Sequence, residues 1–243
     1  MFNKLRYVLF VGIAIICAAG VLRAEDEEKP WERSIALGLS LTSGNSDSVL
    51  FTGGINGNKV WSTDELRLRL DGAYGKSDGT VNNSKLAGLV QYKHLFTERW
   101  YVTGVADGLH DDVADLSYRL TAGPGVGYYF IKSKLTRLSG EIGPACVIER
   151  FYGQGNHVYP TARLAERLDR QLTESSKIWQ SLEVLPDLTD IDKYVATAEA
   201  GVEAAMTKTL SLRLVCQDRY NSQPSDDRKR NDIQLVSALA YKF

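Results

Sequence analysis

The sequence predicts an all-β protein: a closed up-and-down antiparallel transmembrane β-barrel of 12 strands. Three observations point there. Apolar and polar side chains alternate with period two from about residue 32 to the last residue, the joins between these runs switch between short and long, and the aromatic residues gather at run ends. Period-two alternation gives a strand two chemically different faces. An even number of strands with tight turns at one end and longer loops at the other is the signature of such a barrel.

Residues 1–24, MFNKLRYVLFVGIAIICAAGVLRA, stand apart from that pattern. Lys4 and Arg6 form a basic head, an apolar run extends from Tyr7 to Leu22, and small Ala24 precedes the acidic EDEE. This is the layout of a secretory signal peptide. Ile16 precedes Cys17 where lipoprotein processing wants a small residue, which argues against lipidation. Residues 25–31 then read as a short periplasmic segment and 32–243 as the barrel. Loss of Lys4, Arg6 and Arg23 makes the formal net charge of −1 more negative by three. Nothing basic enough to suggest a nucleic-acid partner remains. Cys146 and Cys216 have no CxxC spacing and are not a disulfide framework. No later segment has the length of an apolar spanning helix, so a membrane would have to be crossed by strands.

The strands follow in order. In the first, at 32–42, Ile35, Leu37, Leu39 and Leu41 alternate with Ser34, Ala36, Gly38 and Ser40. The stretch LSLTSGNSDSV turns the chain through Gly44, Asn45, Ser46 and Asp47, residues that tolerate turn dihedrals. It lacks the GxxxxGK[ST] lysine and hydroxyl of a phosphate loop. The second strand lies at 49–61. In the third, Leu66, Leu68 and Leu70 alternate with Glu65, Arg67, Arg69 and Asp71. Similar runs lie at about 85–95, 100–109, 116–130, 134–147, 158–170, 177–186, 193–205, 208–221 and 230–243.

Even-to-odd joins are short: WSTD at 61–64, FTER at 96–99, IKSK at 131–134, QLTESS at 171–176, and a few residues around Met206 and Thr207. Odd-to-even joins read as longer and polar, as in KSDGTVNNS at 76–84, RFYGQGNHV at 150–158 and NSQPSDDRKR at 221–230. Trp31, Trp61, Trp100 and Trp179 fall at the short-turn end with Phe96 and Phe130. Tyr74, Tyr152, Tyr159, Tyr194 and Tyr220 fall near the other end. Two aromatic girdles are expected where amphipathic rings settle at headgroup level. In the last run, Ile233, Leu235, Leu239, Tyr241 and Phe243 share one face. A final strand ending in an aromatic residue resembles the signal by which bacterial outer-membrane barrels are recognised, which makes the barrel assembly machinery an expected partner through Phe243.

Unpaired backbone groups are costly in hydrocarbon, so spanning strands must close. The apolar face would then meet outer-membrane lipid and lipopolysaccharide. Parity turns Arg67, Arg69, Asp71, Lys85, Gln91, Lys93, Arg137, Glu141, Arg163, Arg167, Asp169, Glu199, Glu203 and Arg213 inward, as candidate lumen-lining residues of mixed sign. Strict parity turns Glu166 outward, so either a bulge lies near Pro160 or that register is displaced. Cys146 and Cys216 fall on the outward face.

A charged lining permits a narrow channel for ions or small solutes, in which bulk and charge set selectivity. It also permits a structural or adhesive surface barrel whose lumen is filled by salt bridges. Twelve strands enclose more space than eight, whose interior side chains can fill. A hydrolase is the third possibility. His94 sits beside Phe96 at a turn, His157 lies in a glycine-rich loop without the serine two residues on, and His110 opens HDDVAD with Asp111, Asp112 and Asp115. An Asp–His pair there could activate water, but no serine, base and orienting partner assemble by spacing. Asp187, Asp190 and Asp192 offer calcium-type oxygens without the DxDxDG spacing. The expectation is a non-enzymatic barrel with no catalytic, metal or cofactor site.

The opening tryptophan, the LGLSLTSGNSDS segment and the glycine-rich strand that follows resemble the start of the DUF481 family, also described as salt-induced outer membrane proteins. The resemblance extends from about Trp31 to Phe243, with Gly44, Asn45, Ser46 and Asp47 matching the family's early GNS-type turn. It implies an outer-membrane β-barrel of a Gram-negative-type cell and supplies neither reaction nor solute.

Overall fold

The computed structural model describes residues 31–42, 48–224 and 229–243. The expected signal peptide, most of the segment before the first strand and the Gly44–Asp47 turn lie outside them. The chain forms twelve strands: β1 (Glu32–Thr42), β2 (Ser48–Val60), β3 (Asp64–Ser77), β4 (Thr80–Leu95), β5 (Trp100–Asp111), β6 (Leu116–Lys132), β7 (Thr136–Phe151), β8 (Asn156–Gln171), β9 (Ser176–Pro186), β10 (Tyr194–Ala205), β11 (Leu210–Asn221) and β12 (Asn231–Lys242). Each pairs antiparallel with its sequence neighbours, and β1 pairs with β12 to close the barrel. Closure leaves no edge strand to pair with another chain. The seam is short, running from Ser34 opposite Lys242 to Leu37 opposite Leu239.

The faces separate as period-two alternation requires. On β12, Leu235 and Tyr241 are exposed on the outside, whereas Ala238 and Ala240 are buried within. Leu37, Phe51, Ile55, Ile142, Leu164 and Leu214 extend the outer apolar surface around the wall. Soluble monomers rarely expose a contiguous apolar patch beyond a few hundred Å². A belt that encircles the barrel is the surface expected against hydrocarbon.

The turns at the end holding the β2–β3 connection are short throughout, spanning 61–63, 96–99, 133–135, 172–175 and 206–209. Opposite them the connections are uneven. The expected polar loop at 76–84 is instead a continuation of β3 and β4 to a two-residue turn at Asp78 and Gly79, which have φ of 49° and 78°. Left-handed dihedrals at both positions are those of the type I′ hairpin turn, for which Asp-Gly is suited. The 150–158 loop shrinks to 152–155. Longer connections are confined to 187–193 and 222–230 at this end among the described residues.

Candidate functional site

The inner face is built from the charged residues that alternation turns away from the apolar belt. Arg67, Arg69 and Asp71 of β3, Lys85, Gln91 and Lys93 of β4, Arg137 of β7, Arg167 and Asp169 of β8, Glu199 and Glu203 of β10 and Arg213 of β11 line one internal space of about 1160 Å³. Glu141 of β7 and Arg163 of β8 are also inward, bonded to members of that set.

Most of these groups are paired. Glu141 receives Lys93 Nζ and Arg163 Nη1, each at 2.7 Å, with the Tyr101 hydroxyl at 2.9 Å and Gln91 Nε2 at 3.0 Å. Arg163 also donates through Nε to Glu183 at 2.6 Å. Near the short-turn end, Glu203 accepts from Lys242 at 2.5 Å, Arg213 at 2.8 Å and Ser211 at 3.1 Å, with Lys177 at 3.7 Å. Toward the opposite end, Arg119 meets Glu149 at 2.6 Å, and Lys85 joins Asp111 and Asp232. A charge withdrawn from water is costly unless paired and hydrogen-bonded, so these clusters make a charged inner wall tolerable.

Two pairs reach across the lumen among the described residues: Lys85 with Asp232, four strand positions apart, and, over the wider span, Arg69 with Glu199. Arg69 of β3 donates Nη1 to Glu199 of β10 at 2.7 Å and Nε to Asp71. In the closed strand order β3 and β10 lie five positions apart out of a greatest separation of six, so this contact joins nearly opposite walls. Glu199 is fixed at its far end by Trp179 Nε1 at 2.7 Å and Gln217 Nε2 at 2.8 Å. The resulting bar narrows the passage without filling it.

Several placements differ from expectation. Trp179 does not belong to an outer aromatic girdle: its ring lies against inward Gly201, where an added Cβ would come within 2.1 Å of Cζ2, and Arg213 sits 5.9 Å from its centroid. Its neighbours Ile178, Gln180 and Leu182 hold the outer parity, so Trp179 must face in. Trp31 packs over Gly57, Trp61 lies near Lys59, and Trp100 is exposed outside beside Tyr128 at 4.8 Å. Phe96, Phe130, Tyr241 and Phe243 complete the aromatic surface at that end. At the other end Tyr194 and Tyr220 stack at 5.5 Å, while Tyr159 takes the inward parity that Thr161 and Arg163 share. Glu166 is outward in an unshifted register and accepts from Gln180 Nε2 at 2.8 Å, so no bulge near Pro160 displaces it.

The histidines and loop carboxylates serve local structure. His94 contacts Asp64 at 2.9 Å, His110 contacts the Ser117 carbonyl at 2.8 Å and Asp112 at 3.4 Å, and His157 is exposed, 3.9 Å from Glu149. Asp111 Oδ1 accepts from the amides of Val113 and Ala114, and Asp112 is held by Ser84 and Tyr152. Asp187 accepts from the amide and hydroxyl of Thr189. Cys146 and Cys216 are free and exposed.

Among solved structures, the barrel is similar to the NanC porin, with 6% identity, a TM-score of 0.53 and coverage of 86% of this chain and 98% of that one. It also matches the translocator domain of autotransporter NalP from Neisseria meningitidis, with 11% identity, a TM-score of 0.46 and coverage of 98% and 96%. The KdgM porin gives 8%, 0.49, 86% and 99%. At such identities the likeness is one of fold. No curated protein matches the sequence. The family described as "Protein of unknown function, DUF481" matches residues 35–243, and this chain belongs to it.

Proposed function

We propose that this protein is a narrow outer-membrane channel for ions or small polar solutes, with its short turns in the periplasm and its lumen constricted by the Arg69–Glu199 bar. The observation that carries the reading is the continuous internal space of about 1160 Å³ on a charged wall. A barrel serving structure alone gains little by holding so much polar volume open. The apolar belt supports a membrane location, and the fold is shared with the NanC porin.

The competing reading, a structural barrel, draws on the same bar, because cross-lumen ion pairs also brace a wall. The two separate in planar bilayers and in proteoliposome swelling. The channel reading expects discrete conductance that rises when Arg69→Ala, Glu199→Ala and Asp71→Asn are combined, a change that removes the bar and leaves none of its three charges unpaired. Absence of conductance and of swelling in both wild type and triple variant, with folding verified by heat-modifiable gel mobility, would favour the structural barrel.

A further inference from the structure

Arg67 lies two residues from Arg69 on β3 and faces the same internal space, yet the two guanidinium groups are treated differently. Arg69 holds Asp71 and Glu199, whereas Arg67 makes no ion pair among the described residues. Its charged surroundings are Arg167 and Arg69, with Asp169 and Glu199 as the nearby carboxylates. Both carboxylates are occupied. Asp169 takes Arg167 through two hydrogen bonds at 2.6 and 2.7 Å, and Glu199 is held by Arg69, Trp179 and Gln217. Across from β3, Arg137 stands opposite Asp169 in the β7–β8 register, lines the same space and also lacks an ion pair among the described residues.

Opposed walls therefore present guanidinium groups outside any ion pair among the described residues; Glu65, two residues from Arg67, lines the same space but is engaged by the Tyr129 hydroxyl at 2.8 Å. An unbalanced cation in a confined, partly dehydrated space is unfavourable, and an anion relieves that cost. Guanidinium presents its N–H donors in a planar fork that suits two oxygens at once. We propose that Arg67, assisted by Arg167 and Arg137, forms an oxyanion-binding site in the lumen for a small solute bearing carboxylate or phosphate oxygens. The site deepens the channel reading and rests on the same hydrated lumen.

The full-length mature chain, folded in detergent, is titrated with sodium phosphate and with sodium succinate against sodium chloride at equal ionic strength, using calorimetry and thermal unfolding. Saturable binding of one or both oxyanions is expected, weakened about tenfold or more in Arg67→Gln and unchanged in Arg99→Gln at a periplasmic turn. The phosphate and succinate arms distinguish the two oxygen chemistries. Arg67→Lys, which keeps the charge and loses the fork, is expected between wild type and Arg67→Gln, and it carries the comparison if the glutamine variant does not fold. In parallel, reversal potentials under a potassium chloride gradient should show anion preference that declines in Arg67→Gln. Equal oxyanion affinity in wild type and in the Arg67 variants, or no effect beyond chloride, overturns the site. Oxyanion binding that depends on Arg67 in a barrel without conductance keeps the site and removes the channel reading; conductance without such binding does the reverse.

Discussion

Glu203 provides the most discriminating stability test, because one carboxylate answers three cations. Its side chain is 2% exposed, against 15% for Arg213, 42% for Lys242 and 44% for Lys177. Removing one member of a buried pair costs ~3–5 kcal/mol when it strands a buried charge. The two lysines reach water and recover their hydration, so each is worth only ~0–1 kcal/mol. Arg213 is the group that would be stranded. Glu203→Ala should therefore cost about 3 kcal/mol, at the low end of that range because two of its three partners can turn to solvent. Arg213→Ala leaves Glu203 with both lysines and should cost about 1–2 kcal/mol, and Lys242→Ala no more than about 1 kcal/mol. Urea unfolding in detergent micelles, followed by tryptophan fluorescence and heat-modifiable gel mobility, measures the order. Equal costs for Lys242→Ala and Glu203→Ala, or a Glu203→Ala cost below about 0.5 kcal/mol, would refute the reasoning that burial concentrates the energy on the Glu203–Arg213 pair.

Other consequences can be measured separately. In single-tryptophan variants reconstituted with brominated lipid, fluorescence from Trp100 should be strongly quenched and that from Trp179 nearly untouched; equal quenching would contradict the inward placement of Trp179. Glu166→Leu removes a carboxylate from the lipid face and should stabilise the barrel by about 1 kcal/mol, whereas a loss of that size would show that the Gln180 bond outweighs the exposure. Burial pushes the Asp187 carboxyl up, but hydrogen bonds from the Thr189 hydroxyl and from the amides of Thr189 and Asp190, with Lys193 nearby, outweigh it and hold the group below the usual carboxylate range. A lowered folded value means that its stabilisation is complete above pH ~4 and fades as pH falls through that lower value. Asp187→Asn should thus cost about 1 kcal/mol at neutral pH, with the gap to wild type closing in acid; a gap that widened in acid would reverse the assignment.

Strand number, closure and facing were legible because a wall with an apolar outer face and a polar inner face imposes period two on nearly every residue it contains. Legibility failed where that constraint lapses. The outer end of β4, from Thr80 to Ser84, is polar apart from Val81, so TVNNS carries no apolar alternation and reads as loop although it is strand. Trp179 departs from expectation for a different reason: position along the strand suggests a girdle, but Ile178 and Leu182 already give the face, and face decides. Parity likewise places Tyr101, Tyr129, Lys177 and Gln217 inside, where their hydroxyl, ammonium and amide donors meet inward carboxylates. Which inward groups meet was not legible. Arg69 and Glu199 are far apart in sequence and join only because the cross-section of the closed barrel brings β3 and β10 within side-chain reach. The surplus of Arg67 follows from that same geometry and has no signature in local sequence.

Thiol accessibility along β3 tests the central claim, a charged hydrated lumen inside a lipid-facing wall, most directly. After Cys146→Ala and Cys216→Ala, single cysteines at positions 66 to 71 are exposed in liposomes to a membrane-impermeant, water-soluble thiol reagent. Positions 67, 69 and 71 should react, and 66, 68 and 70 should resist it while reacting with a lipid-soluble maleimide. Uniform reactivity, or protection of 67, 69 and 71 from the aqueous reagent, would contradict a water-filled interior.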